Sequence, residues 1–190
     1  GPYGRNFLGT PPQGRADYAF IQHILKSMDP HTGRCSILLP HGVLFRNEES
    51  EMRERLVRSD LVEAVIGLGA HLFFNSPMEA CILICRSEKA PNRSKKILFV
   101  DASAEVTRKN AQSYLEPQHI KRIVDAYRSD EDIEGFSSHA SFSELEGNAF
   151  SLSIPLYVKP SNDENADDRS IEETVESWRA ASTEAASLLD

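Results

Sequence analysis

The chain has 190 residues, 40% of them hydrophobic, which suits one domain with a real core plus a short appendage. No stretch approaches eighteen consecutive apolar residues, and the amino terminus lacks the charged-then-apolar order of a secretion signal, so the sequence predicts a soluble, cytoplasmic protein with no membrane partner. The formal net charge of -8 is misleading as an average: residues 160–190 hold nine acids and two bases, so almost all of the acidity belongs to the tail and the rest is close to neutral.

The chain opens on Gly1-Pro2-Tyr3-Gly4, a bare turn, and passes through Thr10-Pro11-Pro12 into a helix over residues 16–28. There Phe20, Ile21, Ile24, Leu25 and Met28 recur at helical spacing, and Asp17 stands where an acid favours a helix start. Asp29-Pro30-His31-Thr32-Gly33 breaks it, and residues 35–39 form an apolar run bounded by Gly33 and Pro40, read as a buried strand. Asn47 then caps a surface helix in which Glu49/Arg53, Glu51/Arg55 and Glu54/Arg58 are acid-before-base pairs four apart, with Met52 and Leu56 pointing inward.

Residues 61–68, 80–85 and 96–101 read as three further strands, the last two joined by RSEKAPNRSKK, with five bases and one acid. The order fits a parallel α/β sheet that ends in antiparallel edge strands. Pro117 opens a helix with Ile120, Ile123, Val124 and Tyr127 on one face. A Ser-rich loop, the apolar stretch 150–158, an acidic linker over residues 159–169 and a helical tail over 170–190 follow. The tail's apolar seam, Ile171, Val175, Trp178, Ser182, Ala185 and Leu189, is narrow, and that shape suits docking to a helix of another chain more than the alternative, a helix folded back on its own domain.

Cys35, Cys81 and Cys85 all sit in apolar runs, and an odd, scattered set is no disulfide framework. Cys81 and Cys85 would stand roughly 13 Å apart on an extended strand, too far to bond to each other. The six histidines have no partners at metal-ligand spacing, so no metal site is expected. Gly67-Leu68-Gly69 follows a strand but precedes AHLFFNSPMEA, not a phosphate-facing helix, so it is not read as a dinucleotide or S-adenosylmethionine turn. Two loops remain of interest, residues 40–46 and 71–77. Both leave the carboxyl ends of predicted strands, where ligands of open α/β sheets bind, and their aromatics suit stacking on a flat base.

GTPPQGRADYAFIQHIL, GRCSILLPHGVLFR, LVEAVIGLGAHLFFNSPMEACILICR and KILFVDAS resemble, in order, the carboxyl-terminal half of the adenine-specific DNA methyltransferase domain of type I restriction-modification methylase subunits. FSLSIPLYV resembles the end of that domain, with Ile154-Pro155-Leu156 departing from the family's pattern. The likeness covers roughly residues 2–158. It implies the downstream half of a Rossmann-like, S-adenosylmethionine-dependent methyltransferase sheet, with a carboxyl-terminal helical tail.

In this family an Asn-Pro-Pro-Phe/Tyr turn precedes the ADxAFIQH helix, and Pro2 and Tyr3 match its last two residues. By resemblance the turn accepts hydrogen bonds from the exocyclic amine of an extruded adenine and stacks an aromatic on the base. Gly1 stands where the first Pro belongs and the Asn has no counterpart here. The cofactor turn of the family also lies upstream of this match, so the chain alone is expected to be inactive, with S-adenosylmethionine bound only by the full enzyme. Phe45, Phe73, Phe74 and Asn75 are the expected contacts to the base or nearby backbone. Arg46 and the basic loop 86–96 are candidates for phosphate contacts. The resemblance implies DNA, a specificity subunit and a restriction subunit as partners, with the tail as the candidate subunit contact, and a half-sheet is expected to self-associate. Two alternatives stand beside this reading: a fragment of an RNA or protein-glutamine methyltransferase, and a non-enzymatic scaffold.

Overall fold

A computed structural model describes Gly4 and residues 6–160. Pro2, Tyr3 and the tail from residue 161 onward lie outside the described residues. Helix α1 (Asp17–Ser27) buries Tyr18, Ile21, Gln22 and Leu25, the 1-4-5-8 spacing of one helical face. Phe20, assigned by its spacing to that face, is 63% exposed. It lies two positions beyond Tyr18, about 200° around the helix.

Strand β1 (Arg34–Pro40) follows, then a short turn of helix at His41–Leu44, another at Asn47–Glu49, and α2 (Ser50–Arg58). In α2 the Glu51–Arg55 and Glu54–Arg58 pairs form at 3.4 and 2.8 Å. The expected Glu49–Arg53 pair does not: Arg53 is buried and donates to the carbonyls of Arg46 and Phe150. Asn47 makes no side-chain cap.

Strands β2 (Val62–Leu68), β3 (Ala80–Arg86), β4 (Lys96–Ala102), β5 (Thr107–Lys109) and β6 (Gln112–Tyr114), helix α3 (Pro117–Arg128), strand β7 (Ser137–Ser141) and helix α4 (Phe142–Gly147) complete the described elements. The main sheet has the order β1-β3-β2-β4-β7, and β5 and β6 form a separate hairpin. The expectation of a largely parallel sheet with antiparallel edges is corrected: β3 inserts between β1 and β2, antiparallel to both, and β2–β4 is the parallel pair. A parallel neighbour needs a long crossover, usually a helix, and the β2–β3 connection has none.

The Ser-rich stretch expected as a loop supplies β7, whose ladder to β4 pairs Ile97 with Ala140 and Phe99 with Ser138. Pairing outweighs its poor strand composition. Ser141 and Glu144 then close a capping box at the start of α4, a signature legible in SFSE. The apolar stretch 150–158 is no strand. It turns through left-handed backbone at Ala149 and Phe150 and folds over the sheet, where Tyr157 stacks on Phe99 at 4.1 Å.

All seven positions of β2 are buried, as a central strand requires. On one face Val65, Leu83, Ile97 and Phe99 pack with α1, α2 and the 150–158 segment. On the other, Ala64, Ile66, Leu98 and Val100 pack with Ile123 and Ala126 of α3 and with Phe136. Helix α3 leaves the β1–β3 side of that face open, where an apolar groove of about 240 Å³ runs past Ile82, Ile84 and Ile120. Glu63, buried on β2 beside a register shift, is held by Arg86 at 3.2 Å and by the Tyr127 hydroxyl at 2.6 Å. Among the described residues no helix is long and apolar enough to cross a membrane.

Gly67 and Gly69 have packing roles. A Cβ on Gly67 would stand 2.6 Å from Ile154 Cδ1, and one on Gly69 would stand 2.6 Å from the Ser103 carbonyl oxygen and 2.7 Å from Val106 Cγ1. Gly69→Ala is therefore expected to lower stability by about 1–3 kcal/mol in urea unfolding. Gly67→Ala should lower it less, because only a terminal methyl must swing aside; equal losses would contradict this reading.

Candidate functional site

Strands β1, β2 and β4 run in one direction, so the segments that follow β1 and β2 emerge at the same sheet edge. That edge is the ligand side of open α/β sheets. The segment after β1 is anchored from below. Val43 and Leu44 are buried, the Tyr18 hydroxyl donates to the Val43 carbonyl at 3.2 Å, and the Leu152 amide donates to the Leu44 carbonyl at 2.8 Å. Burial pushes the Tyr18 phenol well above its usual range, so it serves as a neutral donor.

Arg46 folds back over Gly42. A Cβ at Gly42 would lie 2.5 Å from Arg46 Nε, so any larger residue would displace the guanidinium. In this position Arg46 Nη1 reaches Asp17 Oδ2 at 3.0 Å and Glu49 Oε2 at 3.4 Å. The Glu49 side chain is fully buried and its Oε1 has no hydrogen-bond partner. Burial raises the Glu49 pKa above 4.5, Arg46 pulls it back down, and Asp17 adds to the rise. A buried carboxylate is tolerable only when paired, and Arg46 is the group that pairs it.

Phe45 is left half exposed, edge-on to the His41 ring at 6.0 Å. His41 Nδ1 lies 3.4 Å from Glu79 Oε2, and the His41 amide donates to the Glu79 carbonyl at 3.3 Å. That contact joins the β1 loop to the end of the β2–β3 connection. Within that connection the Ser76 amide donates to the Phe73 carbonyl at 3.1 Å, closing a turn. Asn75 occupies left-handed backbone at φ 54°, which Asn tolerates better than most residues. Phe73 is half-buried, whereas Phe74 is 83% exposed. The Ser113 amide on β6 holds the loop's base through the His71 carbonyl at 2.9 Å.

The structure thus brings Asp17, Phe45 and Arg46 together and displays Phe74 and Asn75 on a second loop at the same edge. Pro2 and Tyr3, the candidate catalytic residues, lie outside the described residues. The basic loop 86–96 is elsewhere. Arg34 pairs with Arg86 at one end of the β1–β3 ladder and Pro40 with Ala80 at the other, so about 20 Å of strand separates that loop from Arg46. Three of its bases are committed locally: Arg86 to Glu63 at 3.2 Å, Lys89 to Asp60 at 2.5 Å and Arg93 to Asp130 at 3.1 Å.

Gln22 was not singled out from the sequence, and Glu49 and Arg53 were read only as a surface helix pair. Gln22 Oε1 accepts from the Leu8 amide at 2.7 Å and its Nε2 donates to the Gly9 carbonyl at 3.1 Å, fixing the segment that leads into α1. Its signal was a polar residue between Ile21 and Leu25 on the buried face. Glu49 carried no such signal, because RNEE is four polar residues in succession.

This arrangement is a mixed α/β sheet carrying an aromatic-lined edge, and the comparisons with known proteins specify its class. The N-6 DNA methylase family matches residues 3–166, and the chain belongs to that family. It is 36% identical over 156 residues to the type I restriction enzyme MjaVII methylase subunit of Methanocaldococcus jannaschii, covering 80% of this chain and 26% of that protein. It is 30% identical over 169 residues to the HindI methylase subunit of Haemophilus influenzae, covering 83% of this chain and 37% of that one. The crystal structure of a type I restriction-modification system methyltransferase subunit from Streptococcus thermophilus superposes with a TM-score of 0.72 at 38% identity, over 77% of this chain and 31% of the other. The chain therefore spans about a quarter to a third of the length of these relatives.

Arg46→Ala would leave Glu49 buried and unpaired, and should destabilise the protein by about 3 kcal/mol in urea unfolding. A change under about 0.5 kcal/mol, typical of a surface site, would mean that Arg46 is free to act elsewhere.

The raised pKa also sets a pH dependence. Glu49 keeps its proton to higher pH in the folded chain than in the unfolded one, so its contribution is fully present below about pH 4.5 and is lost as pH rises through the raised folded value. The stability of Glu49→Gln relative to the parent should therefore increase as pH rises from 4.5 towards neutrality. A relative stability that stays flat or falls would contradict the assignment.

Proposed function

We propose that residues 1–190 form part of the modification subunit of a type I restriction-modification system, which transfers a methyl group from S-adenosylmethionine to the exocyclic amine of adenine in DNA. In this reading the described domain supplies one wall of the pocket for the extruded base. The observation that carries it is the joint placement of the Phe45 and Phe73-Phe74-Asn75 segments at the carboxyl edge of a sheet that belongs to the adenine methylase family. Phe45 and Phe74 are exposed enough to stack on a base. Arg46 acts as a positioning residue for Phe45 through its bonds to Asp17 and Glu49.

The cofactor does not fit the glycine turn after β2. The space beside Gly67 is taken by Ile154, and the space beside Gly69 by Ser103 and Val106, so no cradle for a carboxylate or ribose opens there. That turn is therefore not offered as the cofactor site. The chain's own part is to orient and enclose the base, with Pro2 and Tyr3 proposed as its catalytic residues.

Calorimetric titration of S-adenosylmethionine into the 190-residue chain, beside a version extended upstream by about 150 residues, a typical domain's length, tests the proposal. Binding and adenine methylation are expected from the extended protein and neither from the short one. Binding by the short chain would contradict it.

Residues 161–190, which lie outside the described residues, are proposed as the contact to the specificity subunit. Deleting them from the extended protein should abolish co-purification with that subunit, and unchanged assembly would dismiss the idea.

A further inference from the structure

The three cysteines are free, but they are not equivalent. In the β1–β3 ladder Cys35 stands directly opposite Cys85, whereas Cys81 stands opposite Leu39 on β1 and Gly67 on β2. Directly opposed residues of an antiparallel pair have Cα atoms about 4.5 or 5.5 Å apart, according to the type of pair. Both values fall within the range that a disulfide spans. Cys85 is fully buried, and Cys35 is half-buried on the outermost strand of the described sheet.

The chemistry of the two thiols is complementary. Interaction with the facing Cys85 thiol draws the Cys35 pKa down to about 7 although burial opposes it. The same interaction, with burial, pushes Cys85 well above its usual value. Cys35 is therefore the reachable sulfur with thiolate character near neutral pH. Cys81 has no thiol facing it, and burial lifts its pKa to about 12.

We propose that Cys35 and Cys85 form a redox-modification site, a cross-strand thiol pair that hydrogen peroxide converts into a disulfide tying β1 to β3. The Cys35 thiolate attacks one peroxide oxygen, the S–O bond forms as the O–O bond breaks, and the departing hydroxide is protonated to water. Cys85 then gives up its proton and attacks the Cys35 sulfenic acid. The S–S bond forms, the S–O bond breaks, and a second water leaves. Two thiols lose two electrons and two protons, and one peroxide becomes two waters. Strand β1 ends at Pro40, immediately before the His41–Leu44 turn, so the crosslink would fasten the strand that leads into the Phe45 and Arg46 segment.

The test is to treat the reduced, folded 190-residue chain with hydrogen peroxide, denature it, block remaining thiols with iodoacetamide, and map the products by mass spectrometry. The expected product is an intact chain with a single blocked cysteine, Cys81, and a linked peptide pair containing Cys35 and Cys85 that dithiothreitol separates. Cys81→Ser should leave the crosslink in place, and Cys85→Ser should leave Cys35 as a sulfenic acid trapped by dimedone. The proposal is overturned if all three cysteines are blocked after peroxide, if Cys35 proceeds to sulfinic acid while Cys85 remains blockable, or if the link joins two chains. The wild-type map decides the matter even if the Cys85 variant fails to fold.

Discussion

A carboxylate with no access to water must be held by a positive charge, and the candidate site is arranged around that constraint at Glu49. Arg46 answers it, and to do so must fold over a residue with no side chain, Gly42. The same guanidinium takes Asp17 from the start of α1. Arg53 then ties the Arg46 carbonyl to that of Phe150. Two buried charges, Glu49 through Arg46 and Arg53 through its carbonyl bonds, thus relate three segments distant in sequence: the helix that follows the candidate catalytic turn, the loop after β1, and the strap that closes the sheet. Phe45, the residue next to Arg46, inherits its position from this arrangement.

The division of labour among the bases follows. Arg46 is consumed by carboxylates, and much of the basic connection between β3 and β4 is consumed at the far end of the sheet, where Lys89 and Arg93 also cap backbone carbonyls. The aromatic side chains at the carboxyl edge face no such commitment. An edge that is aromatic rather than cationic is suited to holding one base and not to gripping a run of phosphates, whose contacts fix register and dominate salt-dependent affinity.

Much of the fold was legible because β1 to β4 are dense apolar runs with clear boundaries, and α1 and α3 carry strong periodicity. The order of the strands was not, because nothing local in ACILICR says that β3 will lie between β1 and β2. Strand β7 was hidden by its composition, since SSHAS draws its structure from β4 and not from its own preferences. At the site, family likeness pointed to Phe45, Arg46 and the Phe73–Asn75 loop. Arg46 was read as a candidate phosphate contact; its pairing with the buried Glu49 three residues on was not legible, because nothing local in RNEE says which acid is buried. Gly67 and Gly69 were not read as a cofactor turn; the groups that crowd them, Ile154 and Ser103, lie far along the chain and give no local signal.

The central claim is that Arg46 and Glu49 act as one unit, and a double-mutant cycle measures that most directly. Urea unfolding of the parent chain, Arg46→Ala, Glu49→Gln and the double variant gives the coupling between them. The account predicts that the double variant is more stable than the sum of the single losses allows, with a coupling of about 1–3 kcal/mol. Losses that add to within about 0.5 kcal/mol would show that the two side chains are independent, and the site would have to be rebuilt around an Arg46 free to face solvent.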